Sequence, residues 1–159
     1  MSAPSHISAP KLWIVLARAY GSASAYVQRA IAAQGLCLSD FMVLEVLLHK
    51  GPLTISAIGD KVLLASASMT SAIDRVEQRR FVQRTTCSSD RRIRLIALTP
   101  AGRHFITDLF AQHQQDLELL TAGLTETERK HLYSGLKKIG LTAQAATLPD
   151  LPQDHIKFS

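Results

Sequence analysis

Between residues 66 and 98 the spacing of apolar residues changes from the period of a helix to the period of strands. Four apolar residues recur at intervals of three and four, as on one buried face of a helix: Met69, Ala72, Ile73 and Val76. Two β-branched or alternating runs follow at 82–87 and 93–98, separated by a polar connector at 88–92. This order predicts a helix followed directly by a two-stranded hairpin.

Between a loose N-terminal arm and a C-terminal tail, the rest of the chain is predicted to be mostly helical. Apolar residues recur every three or four positions from Leu12 to Ile31, which indicates a long first helix. Residues that cap or end helices mark the other boundaries: Ser39, Gly51, Pro52, Thr54, Thr99, Pro100, Gly123 and the Thr125–Glu128 capping box. The predicted fold class is therefore mostly α with a small two-stranded β wing.

Residues 61–94 carry the whole net charge of the chain. This segment has eight basic and three acidic residues and a net charge of +5, whereas the other ten basic and ten acidic residues cancel. A segment with such a positive net charge favours contact with the phosphates of a nucleic acid, because counterions are released when the phosphates are neutralised. The alternative is a solvated basic face that only keeps the protein soluble.

The fourth predicted helix has an outward face of small polar residues. With Met69 and Ile73 turned inward, Ser71 points outward and Thr70 and Arg75 lie on the flanks. Short polar side chains let a helix approach the floor of the major groove and reach base edges. The composition suits a recognition helix, and it also suits any exposed helix face.

The hairpin after this helix carries arginines at its tip. Arg91 and Arg92 lie in the connector, and Arg94 is the second residue of the second predicted strand. An exposed guanidinium there can enter a narrow, A·T-rich minor groove, where negative potential is concentrated. Asp90 is expected to pair with one tip arginine and leave the other free.

The helices at the two ends of the chain carry more apolar surface than the middle segment can cover. A second copy of the chain is the expected partner, because a two-fold dimer can bury the apolar surface of both copies against each other. The predicted organisation is an N-terminal arm and dimerisation helix at 1–35, a winged helix-turn-helix DNA-binding lobe at 36–99, C-terminal dimerisation helices at 100–148 and a tail at 149–159.

The order and spacing of several motifs resemble the MarR family of winged-helix regulators. These motifs are Phe41–Leu47, Gly51–Thr54, Ser68–Thr70, Ile73–Glu77, Val82-x-Arg84, Asp90–Arg92 and Leu98–Gly102. The resemblance runs from about Leu12 to Leu141, and the tracts at 58–66 and 86–92 look most similar to the branch of the methylhydroquinone-responsive repressor. It implies a homodimeric repressor that binds a roughly palindromic operator, responds to a small aromatic or oxidising signal and controls quinone or catechol detoxification genes.

The resemblance also implies roles for individual residues. The groove-facing positions of the recognition helix are matched by Ser66, Ser68, Thr70 and Ser71. Arg75 is expected near phosphate, and Arg91 matches the wing-tip arginine that enters the minor groove, with Arg92 and Arg94 beside it. Arg80 departs from the family, which usually has Gly there; it either adopts a left-handed conformation at a cost of about 1 kcal/mol or alters the turn.

Two mechanisms for the signal are open. Cys87 lies in the wing, where arginines would stabilise a thiolate open to oxidation or arylation, whereas Cys37 has apolar neighbours and is expected to be buried. The alternative is a pocket for an aromatic acid between the dimerisation helices and the DNA-binding lobe. Its expected lining is Trp13, Arg18, Tyr20, Phe41 and His49, although these residues also fit a role in the core.

Other functional classes find little support in the sequence. The six histidines are scattered, and no metalloprotease motif, phosphate-binding loop or nucleophile elbow occurs, so neither an enzyme nor a cofactor is expected. A zinc site of Cys37, His49 and His104 lacks a His-x-x-x-His pair, so no metal is expected. Without a long apolar run or a signal peptide, the expected location is the cytoplasm, at the nucleoid. A dimer that binds protein instead of DNA remains an alternative, and it predicts association with little salt dependence.

Overall fold

The computed structural model describes residues 7–62, 66–86 and 92–146. In chain order the elements are α1 (Ala9–Ala33), α2 (Leu38–Lys50), α3 (Ile55–Gly59), α4 (Ser66–Gln78), β1 (Val82–Thr86), β2 (Arg94–Leu98), α5 (Pro100–Thr121) and α6 (Glu126–Ala145). The predicted fold class is confirmed, since six helices and one two-stranded antiparallel sheet make up the described part of the chain.

The capping signals agree with the observed helix starts in three of four cases. Thr54 Oγ1 accepts a hydrogen bond from the Ala57 amide at 3.2 Å, and Thr99 Oγ1 accepts one from the Gly102 amide at 3.0 Å. Thr125 forms the predicted capping box of α6. The prediction for α2 is wrong by two residues: Cys37 is the N-cap, without a side-chain cap bond, and Ser39 lies inside the first turn.

The sheet is a short hairpin with a third segment attached. β1 and β2 pair from Val82 opposite Leu98 to Thr86 opposite Arg94. Leu53, in the turn after α2, exchanges two backbone hydrogen bonds with Ile96 of β2, at 2.8 and 3.1 Å. These bonds join the middle of β2 to the segment that follows α2, and sequence patterning did not predict this contact.

The hydrophobic core lies where α2, α3, α4 and the hairpin meet. Its fully buried side chains include Phe41, Leu44, Leu47, Ile58, Ile73 and Ile96, and α5 adds Ile106. From α1 only Ile31 is buried. The core therefore centres on the middle of the chain, and the terminal helices contribute a small part of their apolar residues.

The chain divides into two compact units, residues 1–119 and 120–159. In the first, α1 leaves Leu12, Trp13, Ile14, Val15 and Tyr20 exposed; in the second, α6 leaves Leu132, Tyr133, Leu136, Ile139 and Leu141 exposed. Within the described ranges, no single helix is long and apolar enough to cross a membrane; α1 and α2 pass that test only as a pair, bent by 83°.

Candidate nucleic-acid interface

Helix α4 has the two faces that its sequence predicts. Met69, Ala72, Ile73 and Val76 are at most 1% exposed. Thr70 and Ser71 are exposed on the other side. Ser66 and Ser68 belong to the first turns of α4, but their side chains lie outside the part that the structure describes. The helix therefore presents short hydroxyl side chains on the side opposite its buried apolar face.

An ion pair joins α4 to the start of α2. Arg75 Nε donates to both carboxylate oxygens of Asp40, at 3.0 and 3.2 Å, and its Nη2 also donates to Asp40 and to Ser39 Oγ. Asp40 is buried and Arg75 is partly exposed. The hydrogen bonds to Asp40 raise the pKa of the Arg75 guanidinium above its ordinary value.

This ion pair gives Arg75 a role inside the protein, and the phosphate contact expected from the sequence stays a prediction. The sequence placed it near DNA phosphate, whereas in the structure Nε and Nη2 are used inside the protein by Asp40 and Ser39. A bidentate contact of this kind holds a guanidinium in one orientation. Arg75 therefore anchors α4, and the pairing with a residue 35 positions earlier is not visible in local spacing.

A second arginine, Arg79, directly follows α4 and reaches the same corner of the fold. Arg79 Nη1 donates to the carbonyl oxygen of Gly35 at 2.6 Å, in the turn between α1 and α2. Its guanidinium also lies 4.9 Å from the centre of the Phe81 ring, which stacks on Phe105 at 4.4 Å. The basic block of the sequence thus contains arginines with internal structural roles.

Helix α4 ends in a left-handed turn at Arg80. Its φ is +60°, and among the described residues it is the one non-glycine with positive φ. The Arg80 amide donates to the Glu77 carbonyl at 2.8 Å and the Phe81 amide to the Val76 carbonyl at 2.9 Å. This is a Schellman motif, in which glycine is the usual residue at the left-handed position. Of the two outcomes that the sequence left open, Arg80 adopts the left-handed one.

The start of α5 packs directly on that turn. Thr99 Oγ1 donates to the Arg80 carbonyl at 2.7 Å, and its amide donates to the Phe81 carbonyl at 3.0 Å. A Cβ atom on Gly102 would lie 1.9 Å from the Phe81 oxygen, so only glycine allows this approach. The contact links the end of α4, the root of the hairpin and α5.

The hairpin also contacts α4 through charged side chains. Arg84 of β1 pairs with Asp74 and Glu77, at 2.5 and 3.5 Å. The pairing offsets the two acidic residues of α4 that would otherwise repel phosphate. Arg92 and Arg94 are exposed at the distal end of the hairpin, whereas Cys87, Asp90 and Arg91 lie outside the described residues.

The residues proposed for an effector pocket differ widely in exposure. Trp13 and Tyr20 are 67% and 73% exposed on α1, where Arg18 is exposed as well, whereas Phe41 is 2% exposed in the core. His49 packs on Phe110 at 4.7 Å between ring centres. It also lines a cavity of about 370 Å³ with Met42, Glu45, Val46, Lys50, Lys61 and Val62.

Cys37 is exposed, so the prediction of a buried thiol is wrong. It is the N-cap of α2, and its apolar neighbours in the sequence did not reveal this exposure. In the described ranges no group of three or more His, Cys, Asp or Glu side chains is arranged to hold a metal ion.

Comparison with known proteins places these features in one family. The MarR family model matches residues 36–93. The chain is 37% identical to the HTH-type transcriptional regulator MhqR of Bacillus subtilis, over 84% of this chain and 92% of that protein. It is 32% identical to the uncharacterised HTH-type transcriptional regulator YkoM of the same species, over 86% of this chain and 88% of that protein.

Solved structures show the same fold. Bordetella bronchiseptica BpsR, whose DNA binding is regulated by 6-hydroxynicotinic acid, has a TM-score of 0.72 and 26% identity, over 87% of this chain and 98% of BpsR. A mutant of MarR from E. coli, solved in complex with operator DNA, has a TM-score of 0.70 and 20% identity, over 80% of this chain and 92% of that chain. Sequence and fold agree, and the chain belongs to the MarR family of transcriptional regulators.

Proposed function

We propose that this protein is a homodimeric repressor that binds duplex DNA through α4 and the hairpin. The main observation behind this proposal is the exposed face of α4 with its hydroxyl side chains. The Asp40–Arg75 ion pair holds α4 against α2, and the hairpin follows α4 directly. A helix with short polar side chains fits the major groove, and a dimer would place two such helices in half-sites about one DNA turn apart.

In this proposal Ser66, Ser68, Thr70 and Ser71 face the groove. Arg91 enters the neighbouring minor groove, and the exposed Arg92 and Arg94 lie near the backbone. The net charge of +5 in residues 61–94 supports attraction to phosphate. Such a regulator would act at the nucleoid, in the cytoplasm.

The DNA-binding proposal is tested with a duplex selected from a random-sequence library by the full-length protein. Fluorescence anisotropy should show tight binding to the selected duplex and an association constant that falls steeply as salt rises, since each phosphate contact releases counterions. A scrambled duplex of equal length is the control. Failure to select any duplex, or affinity that does not change with salt, would instead favour a dimer that binds protein.

The role of Arg91 is tested separately. Arg91→Ala should lower affinity for the selected duplex by about 1–3 kcal/mol, as for loss of one specific contact. Light scattering should show an unchanged oligomeric state. Equal affinity of variant and wild type would remove Arg91 from the interface.

For the signal, we propose control of quinone or catechol detoxification genes by a small aromatic or electrophilic effector. The identity with MhqR supports a related regulator, and BpsR is a structural neighbour regulated by an aromatic acid. Here the cavity beside His49 combines apolar residues with two basic residues, Lys50 and Lys61, and one acidic residue, Glu45, and a lining with this positive balance suits an aromatic anion. The second candidate is a thiol switch at Cys87 or at the exposed Cys37.

The two triggers give different results with the same probe. Methylhydroquinone, added in air to the protein bound to its selected duplex, should release the DNA. If Cys87→Ser abolishes that release and Cys37→Ser does not, the trigger is the wing thiol. If the double variant still releases the DNA, the trigger is a bound ligand, and His49→Ala should then weaken the response.

A further inference from the structure

Asp40 is the one charged side chain that is buried among the residues described, with 3% of its surface exposed. Removing a carboxylate from water is costly unless a positive group is held against it. Its partner Arg75 comes from α4, so the carboxylate stays buried only while α4 keeps its place beside the start of α2.

The buried apolar residues of α4 set which face of the helix turns inward, and directional hydrogen bonds define that rotation more finely. The buried positions of α4 include the small Ala72, and apolar packing has no directional preference. The hydrogen bonds of Arg75 to Asp40 and of Arg79 to Gly35 are directional, and they hold two positions one turn apart on the same edge of the helix.

The position of Arg75 is coupled to the groove-facing side chains. Ser71 lies one turn before Arg75, so any rotation of α4 that moves Arg75 moves Ser71 by the same angle. Short hydroxyl groups make hydrogen bonds only within about 0.5 Å of the right distance. A helix that turns slightly would therefore lose its base contacts.

We propose that Asp40 is a positioning residue for DNA recognition: through Arg75 it sets the rotation at which α4 meets the major groove. It touches no DNA itself. The inference rests on the proposed function, and it separates specific recognition, which needs the correct rotation, from general attraction to phosphate, which does not.

Asp40→Asn gives a test in which the sign of the effect is decisive. The variant removes a negative charge, so electrostatics alone predicts tighter binding to every duplex. If Asp40 positions α4, affinity for the selected duplex should instead fall by about tenfold or more, the size expected for one misplaced base contact. Affinity for a scrambled duplex should stay the same or rise.

A matched control separates positioning from lost stability. Ile106→Ala removes part of a fully buried side chain in α5, a helix that contributes nothing to the Asp40–Arg75 pair, and lowers folding stability without changing charge. Both variants are assayed well below their unfolding temperatures. Ile106→Ala should bind the selected duplex within about twofold of wild type, as is usual for a change outside an interface.

Arg75→Lys supplies the second variant. The lysine keeps the positive charge but cannot make the two-pronged contact with Asp40. Positioning predicts a loss of selective binding similar to that of Asp40→Asn, whereas a direct phosphate contact by residue 75 predicts little change.

The outcomes are distinct. Loss of selective binding in Asp40→Asn and Arg75→Lys, with Ile106→Ala unaffected, supports the inference. Unchanged or tighter selective binding in Asp40→Asn overturns it, and so does an equal loss in Ile106→Ala. If wild-type protein selects no duplex, the proposed function itself fails, and the inference fails with it.

Discussion

Arg80 is a site where the backbone and the side chain are in conflict. Its φ of +60° is left-handed, which costs a residue with a Cβ atom about 1 kcal/mol relative to glycine. Arg80→Gly should therefore raise the free energy of unfolding by about 0.5–1 kcal/mol in urea titrations. Arg80→Ala is the control, because it removes the guanidinium and keeps the strain. Equal stability of the two variants would show that the turn is not strained.

Gly102 is required for the opposite reason. A methyl group there would lie 1.9 Å from the Phe81 carbonyl oxygen, a backbone atom that cannot turn away. Gly102→Ala should lower the free energy of unfolding by about 1–3 kcal/mol, as overpacking does, and thermal unfolding would detect this. Gly123→Ala, where the added atom meets open space, should be near neutral. A tolerated Gly102→Ala would mean that α5 can shift freely from the turn.

At the scale of the element, the capping box of α6 makes a pH-dependent contribution. The Thr125 amide donates to Glu128 Oε2 at 2.8 Å, and the Thr125 hydroxyl donates to the same carboxylate. Both bonds lower the pKa of Glu128 below its ordinary value, and the bond from the Thr125 backbone amide has the larger effect. Because the folded-state pKa is lowered, the stabilisation is present at neutral pH and is lost as the pH falls through that pKa.

Carboxyl NMR titration can measure this effect. Glu128 should titrate below an ordinary glutamate in the wild-type chain. In Thr125→Ala, which lacks the hydroxyl partner, its pKa should rise towards the ordinary value. The same pKa in both proteins would contradict a role for the Thr125 side chain.

For the whole molecule, the exposed apolar residues of α6 predict self-association. Leu132, Leu136 and Ile139 are each at least 40% exposed and share one face of the helix. A protein with so much uncovered apolar surface is expected to bury it against a second copy. Light scattering should therefore give twice the chain mass of 17.4 kDa.

Substitution of that face provides the test of the dimer. Leu136→Asp should shift the protein towards monomer, because a carboxylate would be buried without a partner. Ser134→Asp makes the same change in charge on the opposite face of α6 and should leave the mass unchanged. A wild-type monomer, or a Leu136→Asp dimer as stable as wild type, would contradict the predicted interface.

The elements and the inward face of α4 followed from the sequence because they depend on local physics. Apolar periodicity places Met69, Ala72, Ile73 and Val76 together, and capping at Thr54, Thr99 and Thr125 depends on residues at most three positions apart. The left-handed turn at Arg80 was also among the local outcomes expected.

The anchoring of the candidate site was decided by the tertiary structure. Asp40 and Arg75 are 35 positions apart, and Leu53 meets Ile96 across the chain. No local pattern reveals such contacts, since they exist only after the helices have packed. The exposure of Cys37 and the different burial of Trp13, Tyr20 and Phe41 likewise depend on how the helices pack. Residue type indicated that this chain is suited to DNA, while packing determined which arginines hold α4 in place.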